Sequence, residues 1–264
     1  MHEEYEKQIQ SYIPKIKEKV NILHFSTGAD SVACYLRLKE WGIEPILIYD
    51  YYLPHIPMVD NYIDYFEKKF NVHIYRLPSE FCVRWIDNAL FQLPVKARED
   101  FRNATTELGF YKITNNSNRK SILKALGLKK EQVVFHKGIK YDDGCWRRIT
   151  IMKNGVYSEA NHTFFPIASF QVSDIISILE KYDCKLPIEY NWLGVSFEWL
   201  ESRNINFMIR DCPASYEYIK RYFPLVDVLK YRNYTDVNLK TGHKRVRLAN
   251  LQKFAIDKDL YKVW

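Results

Sequence analysis

Apolar side chains recur along the first 75 residues with two different periods. Tyr5, Ile9, Tyr12, Ile13 and Ile16 fall near helical spacing and predict an amphipathic helix over residues 3–20, kinked or divided at Pro14, which lacks the N–H that a helix interior needs. Shorter apolar runs follow at 22–25, 45–49 and 72–75, too brief for helices and read as strands, with helical patterns at 31–41 and 58–70 between them. This βαβαβ order implies right-handed crossovers and a parallel twisted sheet with helices on both faces, an α/β fold. Helices over 81–91, 99–108 and 118–126 are expected as outer cover, the last ended by Gly127. A fourth strand at 133–136 runs into a polar loop at 137–148, and a fifth strand at 163–167 precedes a helix at 172–182. Beyond residue 202 the only clear pattern is a helix near 216–222.

Composition narrows the class. With 264 residues and 47% hydrophobic content the chain can bury a full core. No apolar run approaches the ~20 residues that span a bilayer, and the acidic start Met1-His2-Glu3-Glu4 is no signal peptide, so a soluble, cytoplasmic protein with no membrane partner is expected. The five cysteines are widely spaced and form no Cys-x-x-Cys pair, which argues against a disulfide framework, structural zinc or an iron-sulfur cluster. Residues 203–264 carry 13 Lys and Arg against 6 Asp and Glu, which accounts for the whole net charge of +7. The expected organisation is therefore an N-terminal helix (1–20), an α/β nucleotide-binding domain (21–202) and a basic C-terminal extension (203–264). The densest basic stretch, 240–247, lies near Tyr231, Arg232 and Tyr234, a mix suited to tRNA or DNA and equally to a solvated face.

The segment most suggestive of chemistry is Phe25-Ser-Thr-Gly-Ala-Asp-Ser31, between the first strand and its helix. A helix N-terminus presents backbone N–H groups and the positive end of the helix dipole to an anion, most often phosphate. Gly28 permits close backbone approach, Ser26, Thr27 and Ser31 offer hydroxyls, and Asp30 can cap the helix or help hold Mg²⁺. The plain structural alternative is a helix cap. Asp50 ends the second strand on the same side of the predicted sheet, where ligands of open α/β folds bind. His24 and His136 sit in apolar strands and read as core or rim residues; Cys145, beside cations, reads as a bystander thiol; Tyr49, Tyr51 and Tyr52 could stack on a base.

Ser26-Thr27-Gly28-Ala29-Asp30-Ser31 resembles the PP-loop of the ATP pyrophosphatases (adenine nucleotide α-hydrolases), which more often reads Ser-Gly-Gly-x-Asp-Ser; Thr27 replaces the first glycine. Two further landmarks are similar to the phosphoadenosine phosphosulfate (PAPS) reductase-like branch. One is Gly138-Ile139-Lys140-Tyr141-Asp142-Asp143 with Arg147 and Arg148, resembling a Gly-x-Arg loop with downstream acid and arginine. The other is Pro166-Ile167-Ala168-Ser169-Phe170 with Ser173-Asp174-Ile175 and Leu186-Pro187. The resemblance covers roughly residues 20–200 and implies an adenine nucleotide with Mg²⁺ at Asp30. It places Ser26, Thr27, Gly28, Asp30, Ser31, Asp50, Lys137 and Gly138 around that nucleotide, and Asp30, Lys140, Arg147 and Arg148 in catalytic positions. The branch's C-terminal cysteine and its paired cluster cysteines have no counterpart here, which points to ATP-dependent adenylyl transfer with pyrophosphate release rather than reduction. Sulfonucleotide metabolism and a non-catalytic nucleotide-binding module are the alternatives; the acceptor and a homo-oligomeric state are left open.

Overall fold

The computed structural model describes residues 2–79, 90–91, 118–197, 200–231 and 250–257. The expected helices at 81–91 (but for residues 90 and 91) and 99–108 and the basic stretch 240–247 lie outside the described residues. The described chain is α/β. In order it forms α1 (His2–Lys17), β1 (Val20–His24), α2 (Ala29–Glu40), β2 (Ile46–Tyr51), α3 (Pro57–Phe70), β3 (Ile74–Pro78), α4 (Asn118–Leu126), β4 (Val133–His136), α5 (Cys145–Asn154), β5 (Tyr157–Ser158), β6 (Thr163–Phe164), α6 (Val172–Lys181), α7 (Ser202–Asp211) and α8 (Pro213–Tyr222).

The strands join one six-stranded sheet in the order β3-β2-β1-β4-β6-β5, with β1 parallel to β2 and β4, and β4 parallel to β6. The register pairs Ile22 with Ile46 on one side of β1 and with Phe135 on the other. Ile22, Leu23, Leu47, Val133, Val134 and Phe164 are fully buried, as strands covered on both faces demand. β5 was not anticipated; it runs antiparallel to β6. The fifth strand is also shorter than expected, stopping at Phe164, because Pro166 carries no N–H and the chain turns at once, with Ala168 N donating to Phe165 O (3.1 Å) and Phe170 N to Ile167 O (3.0 Å).

The chain divides into two compact units. The first comprises Met1–Tyr49, His73–Tyr75 and Ile122–Leu186. In it α1 is a single helix through Pro14, which lies in its last turn, where little helix remains to be lost. Ile9 and Ile16 are its buried residues. Arg37 of α2 is buried, ion-paired with Glu6 of α1, and stacked between Trp41 (4.9 Å) and Phe170 (4.5 Å), while Ser169 Oγ donates to Glu6 Oε2 (2.7 Å). Burial is the largest single influence on Glu6 and raises its pKa. The hydrogen bonds from Arg37, Gln10 and Ser169 outweigh it, so the carboxyl lies below its ordinary value. This network anchors the 166–170 turn to both helices.

The second unit comprises Asp50–Val72, Arg76–Ser121 and Pro187–Trp264. α3 buries Met58, Val59, Tyr62, Ile63 and Phe66 at helical spacing, and its first turn is fixed by Met58 N donating to Ser215 Oγ of α8 (3.0 Å). α7 buries Ile205, Phe207 and Met208 together with Ser202 and Asn204. Those buried polar residues interrupt the apolar period, which is why no helix was expected there.

Candidate functional site

β1 delivers the chain to residues 25–28 and α2 begins at Ala29, so the Ser26–Ser31 segment is a strand-to-helix turn. Phe25 N still donates to Ile48 O (2.8 Å), extending the β1/β2 ladder by one bond before the chain leaves the sheet. Gly28 is the N-cap, in an extended conformation with no side chain to cap the helix. Ser31 Oγ donates to Gly28 O (2.8 Å) and lies 3.3 Å from Ser26 Oγ, so two of the three predicted hydroxyls share one hydrogen-bonded cluster. The first-turn N–H groups of any α-helix have no intrahelical acceptor, which leaves this end suited to an anion.

Thr27 is buried and has φ of 62°, a left-handed conformation that costs a β-branched residue roughly 1–2 kcal/mol. Its Oγ1 donates to Ser26 O (2.6 Å), a local bond that holds the side chain in place. Glycine adopts this backbone freely, so Thr27 holds a conformation that glycine would take without that cost.

The segment after β4 meets this turn at Gly138. A Cβ there would lie 2.7 Å from both the carbonyl carbon and the oxygen of Asp30 and 2.9 Å from Ser31 N, all backbone atoms. Only glycine lets the two chains touch this closely. Gly138→Ala is expected to destabilise the protein by about 1–3 kcal/mol through overpacking, seen as a lower urea midpoint at unchanged slope. Lys137 N donates to Phe164 O (3.1 Å) and Tyr141 N to Ala168 O (3.0 Å), so bonds to β6 and to the anchored turn pin the segment on either side of Gly138.

Lys140 is 4% exposed, and its Nζ lies 2.5 Å from Asp30 Oδ1 and 2.6 Å from Asp143 Oδ1. Asp143 Oδ2 accepts from Lys140 N (3.1 Å) and from Arg147 (2.7 Å). Asp30, Lys140, Asp143 and Arg147 thus form a chain of alternating charge from the first turn of α2 to the first turn of α5. The chain sums to zero, so it contributes aligned donors and acceptors rather than a net field. Arg148 stands beside it, 4.9 Å over the Tyr141 ring and 3.7 Å from Asp142, which also meets His2 (3.1 Å). Lys137 is exposed.

The expected polar loop is therefore only partly a loop: residues from Cys145 onward are helical, started by Gly144 at φ of 140°. Asp50, the fifth residue of β2, is half-buried in the second unit, where its charge opposes the downward pull of burial on Arg119. Arg119, in the first turn of α4, is a residue that periodicity could not single out. Tyr49 is buried, and Tyr52 sits edge-on to Phe197 at 6.3 Å.

His136 is a core residue. It is fully buried, Nε2 donates to Asn21 Oδ1 (2.8 Å), and burial pushes its pKa down to about 3. The assignment of that proton follows from Asn21, whose amide donates to Ile16 O and Lys19 O and so turns its oxygen to the imidazole. Cys34, Cys184 and Cys212 are buried, and burial raises the Cys34 and Cys212 thiols; Cys145 is exposed at the start of α5. Among the described residues no group of three or more His, Cys, Asp or Glu could hold a metal ion, and no helix is long and apolar enough to cross a membrane. Comparison of the chain with protein-family models and with curated proteins returned no match, so the likeness to the PP-loop proteins rests on the residues quoted above.

Proposed function

We propose that this protein is a PP-loop-type enzyme that binds ATP at the Ser26–Ser31 turn and transfers its adenylyl group, releasing pyrophosphate. The observation that carries the reading is the close seating of Gly138 on the Asp30–Ser31 backbone, which joins the phosphate-cradle turn and the Lys140 segment into one structure. In the reaction a substrate oxygen attacks the α-phosphorus and loses its proton to solvent. The bond from that phosphorus to the bridging α,β-oxygen breaks, and its electron pair leaves with pyrophosphate. The residues act by position and charge: backbone N–H groups at the start of α2 with Ser26 and Ser31 toward the phosphates, and Lys140 and Arg147 held in register by Asp143.

Magnesium is usually held by one or two carboxylates and the substrate's phosphates rather than by an all-protein cage. Asp30 is the carboxylate that would hold such an ion, which would neutralise charge on the triphosphate, and Lys140, now 2.5 Å from Asp30, would have to give up that contact. A second reading, a nucleotide-binding module without turnover, is favoured by the engagement of Asp30 with Lys140.

The test uses ATP labelled separately at the α and γ positions, with Mg²⁺, with and without tRNA or DNA, following pyrophosphate, AMP and labelled polymer. Pyrophosphate release stimulated by nucleic acid, and at least tenfold lower in Asp30→Ala, is the expected result. Nucleotide binding with no pyrophosphate under any condition would leave the module reading in its place.

A further inference from the structure

Helix α5 is unusual in what it fails to bury. Of its ten residues only Ile151 is buried, while Trp146 is 83% exposed, Met152 65% and Ile149 46%. A helix this short is marginal in water unless an apolar face is packed. At 100° per residue Ile151 points inward. Arg147 and Arg148 flank it, consistent with their contacts to Asp143 and to Tyr141 and Asp142. Trp146, Ile149, Met152 and Lys153 then fall on the outward side. Every ionisable side chain of the helix other than the Cys145 thiol is a cation, and residues 137–154 together with Asp30 hold five cations against three carboxylates.

We propose that this outward face of α5 docks a single-stranded nucleic acid, the indole of Trp146 stacking on a base, Ile149 and Met152 extending the apolar platform, and Lys153 meeting the backbone phosphates. The choice of occupant rests on charge: the helix carries no carboxylate of its own, and exposed Lys153, with Arg147 and Arg148 half-exposed although paired to Asp143 and Asp142, lies beside an exposed aromatic, which matches a strand whose flat apolar bases are flanked by phosphates. The inference deepens the adenylyl-transfer reading and rests on it for the substrate class. Arg147, on the inward flank of α5, meets Asp143, so a strand held on the outward face would lie about one helix diameter, roughly 10 Å, from the cluster at the proposed adenylyl donor.

The test measures fluorescence anisotropy of 5′-fluorescein-labelled 20-nucleotide mixed-sequence RNA and DNA across a salt series. ATP binding is measured on the same preparations by equilibrium dialysis. Trp146→Ala is expected to weaken strand binding roughly tenfold. Lys153→Gln is expected to reduce the slope of log affinity against log salt by about 0.7. Both variants should keep the wild-type urea midpoint, since both side chains are solvent-exposed, and wild-type ATP affinity. Equal strand binding by wild type and Trp146→Ala overturns the proposal. So does an absence of strand binding accompanied by self-association that Trp146→Ala abolishes, which would make a second copy of the chain the occupant. In either case ATP binding that persists leaves the adenylyl-transfer reading standing. Strand binding that depends on Trp146 with no ATP bound would keep the docking surface and remove that reading.

Discussion

Lys140→Met is expected to lower stability by about 3–5 kcal/mol, the usual cost of removing one partner from a buried ion cluster. The side chains of Lys140, Asp143 and Asp30 are 5%, 4% and 13% exposed, so water cannot replace the ammonium. Asp143 would retain Arg147 and the Lys140 amide, whereas Asp30 would lose its ammonium partner. Neutralising Asp30 should therefore offset part of the damage. The Lys140→Met/Asp30→Asn double variant is expected to recover more than about 1 kcal/mol relative to simple addition of the two single changes. Urea denaturation of the four proteins of the cycle measures this. A loss below about 1 kcal/mol for Lys140→Met, or strict additivity, would show that the cluster does not exist in solution.

The second large effect is a pH dependence set by Glu189. Its side chain is buried, Oε1 accepts from Phe197 N (3.0 Å), and Oε2 has no hydrogen-bond partner. Burial pushes its pKa from 4.5 up to about 7, opposed by its hydrogen bonds to backbone groups. The folded protein therefore prefers the neutral acid. Below pH 4.5 the contribution of this group is complete. As pH rises toward 7 the unfolded chain gives up the proton first, and stability falls by roughly 3 kcal/mol before levelling off above 7. Buried His136 works in the opposite direction: held down to about 3, it favours folding more as pH rises toward its ordinary 6.5. The two slopes overlap, so the measurement is a difference. Urea midpoints of wild type and Glu189→Gln from pH 4 to 8 should converge on a pH-independent gap above 7 and diverge steadily between 4.5 and 7. Parallel curves would mean that Glu189 is ionised in the folded state.

The parallel core could be read from the chain because each central strand is a short, nearly continuous apolar run between helical patterns, and burial on both faces leaves just that trace. α5 left no such trace. With one buried residue it has no apolar period, and its cations read as loop. The strand expected over 163–167 was read too long because Phe164, Phe165 and Ile167 are all apolar, whereas β6 ends at Phe164.

At the candidate site, residue types pointed to the Ser26–Ser31 turn, but its geometry was hidden. A β-branched Thr27 argues against the left-handed backbone that it adopts. The Glu6–Arg37 and Asp30–Lys140 pairs, 31 and 110 residues apart, could not be matched from one sequence, since any of several charges might have served. Gly138 looked like loop chemistry; the constraint on it is steric and comes from backbone far away in the chain.

The brevity of β5 also bears on how the folded protein behaves at high concentration. A sheet margin with unpaired N–H and C=O groups is a template for another chain, and long flat margins invite fibrillar stacking. Here the margin is two residues long, and Lys15 sits 5.1 Å over the ring of Tyr157 while pairing with Glu159 just beyond it. Among the described residues the opposite margin is β3, which carries Arg76 and ends at Pro78, a residue with no N–H to donate to a further strand. Both margins of the described sheet are thus poor seeds for intermolecular β-addition.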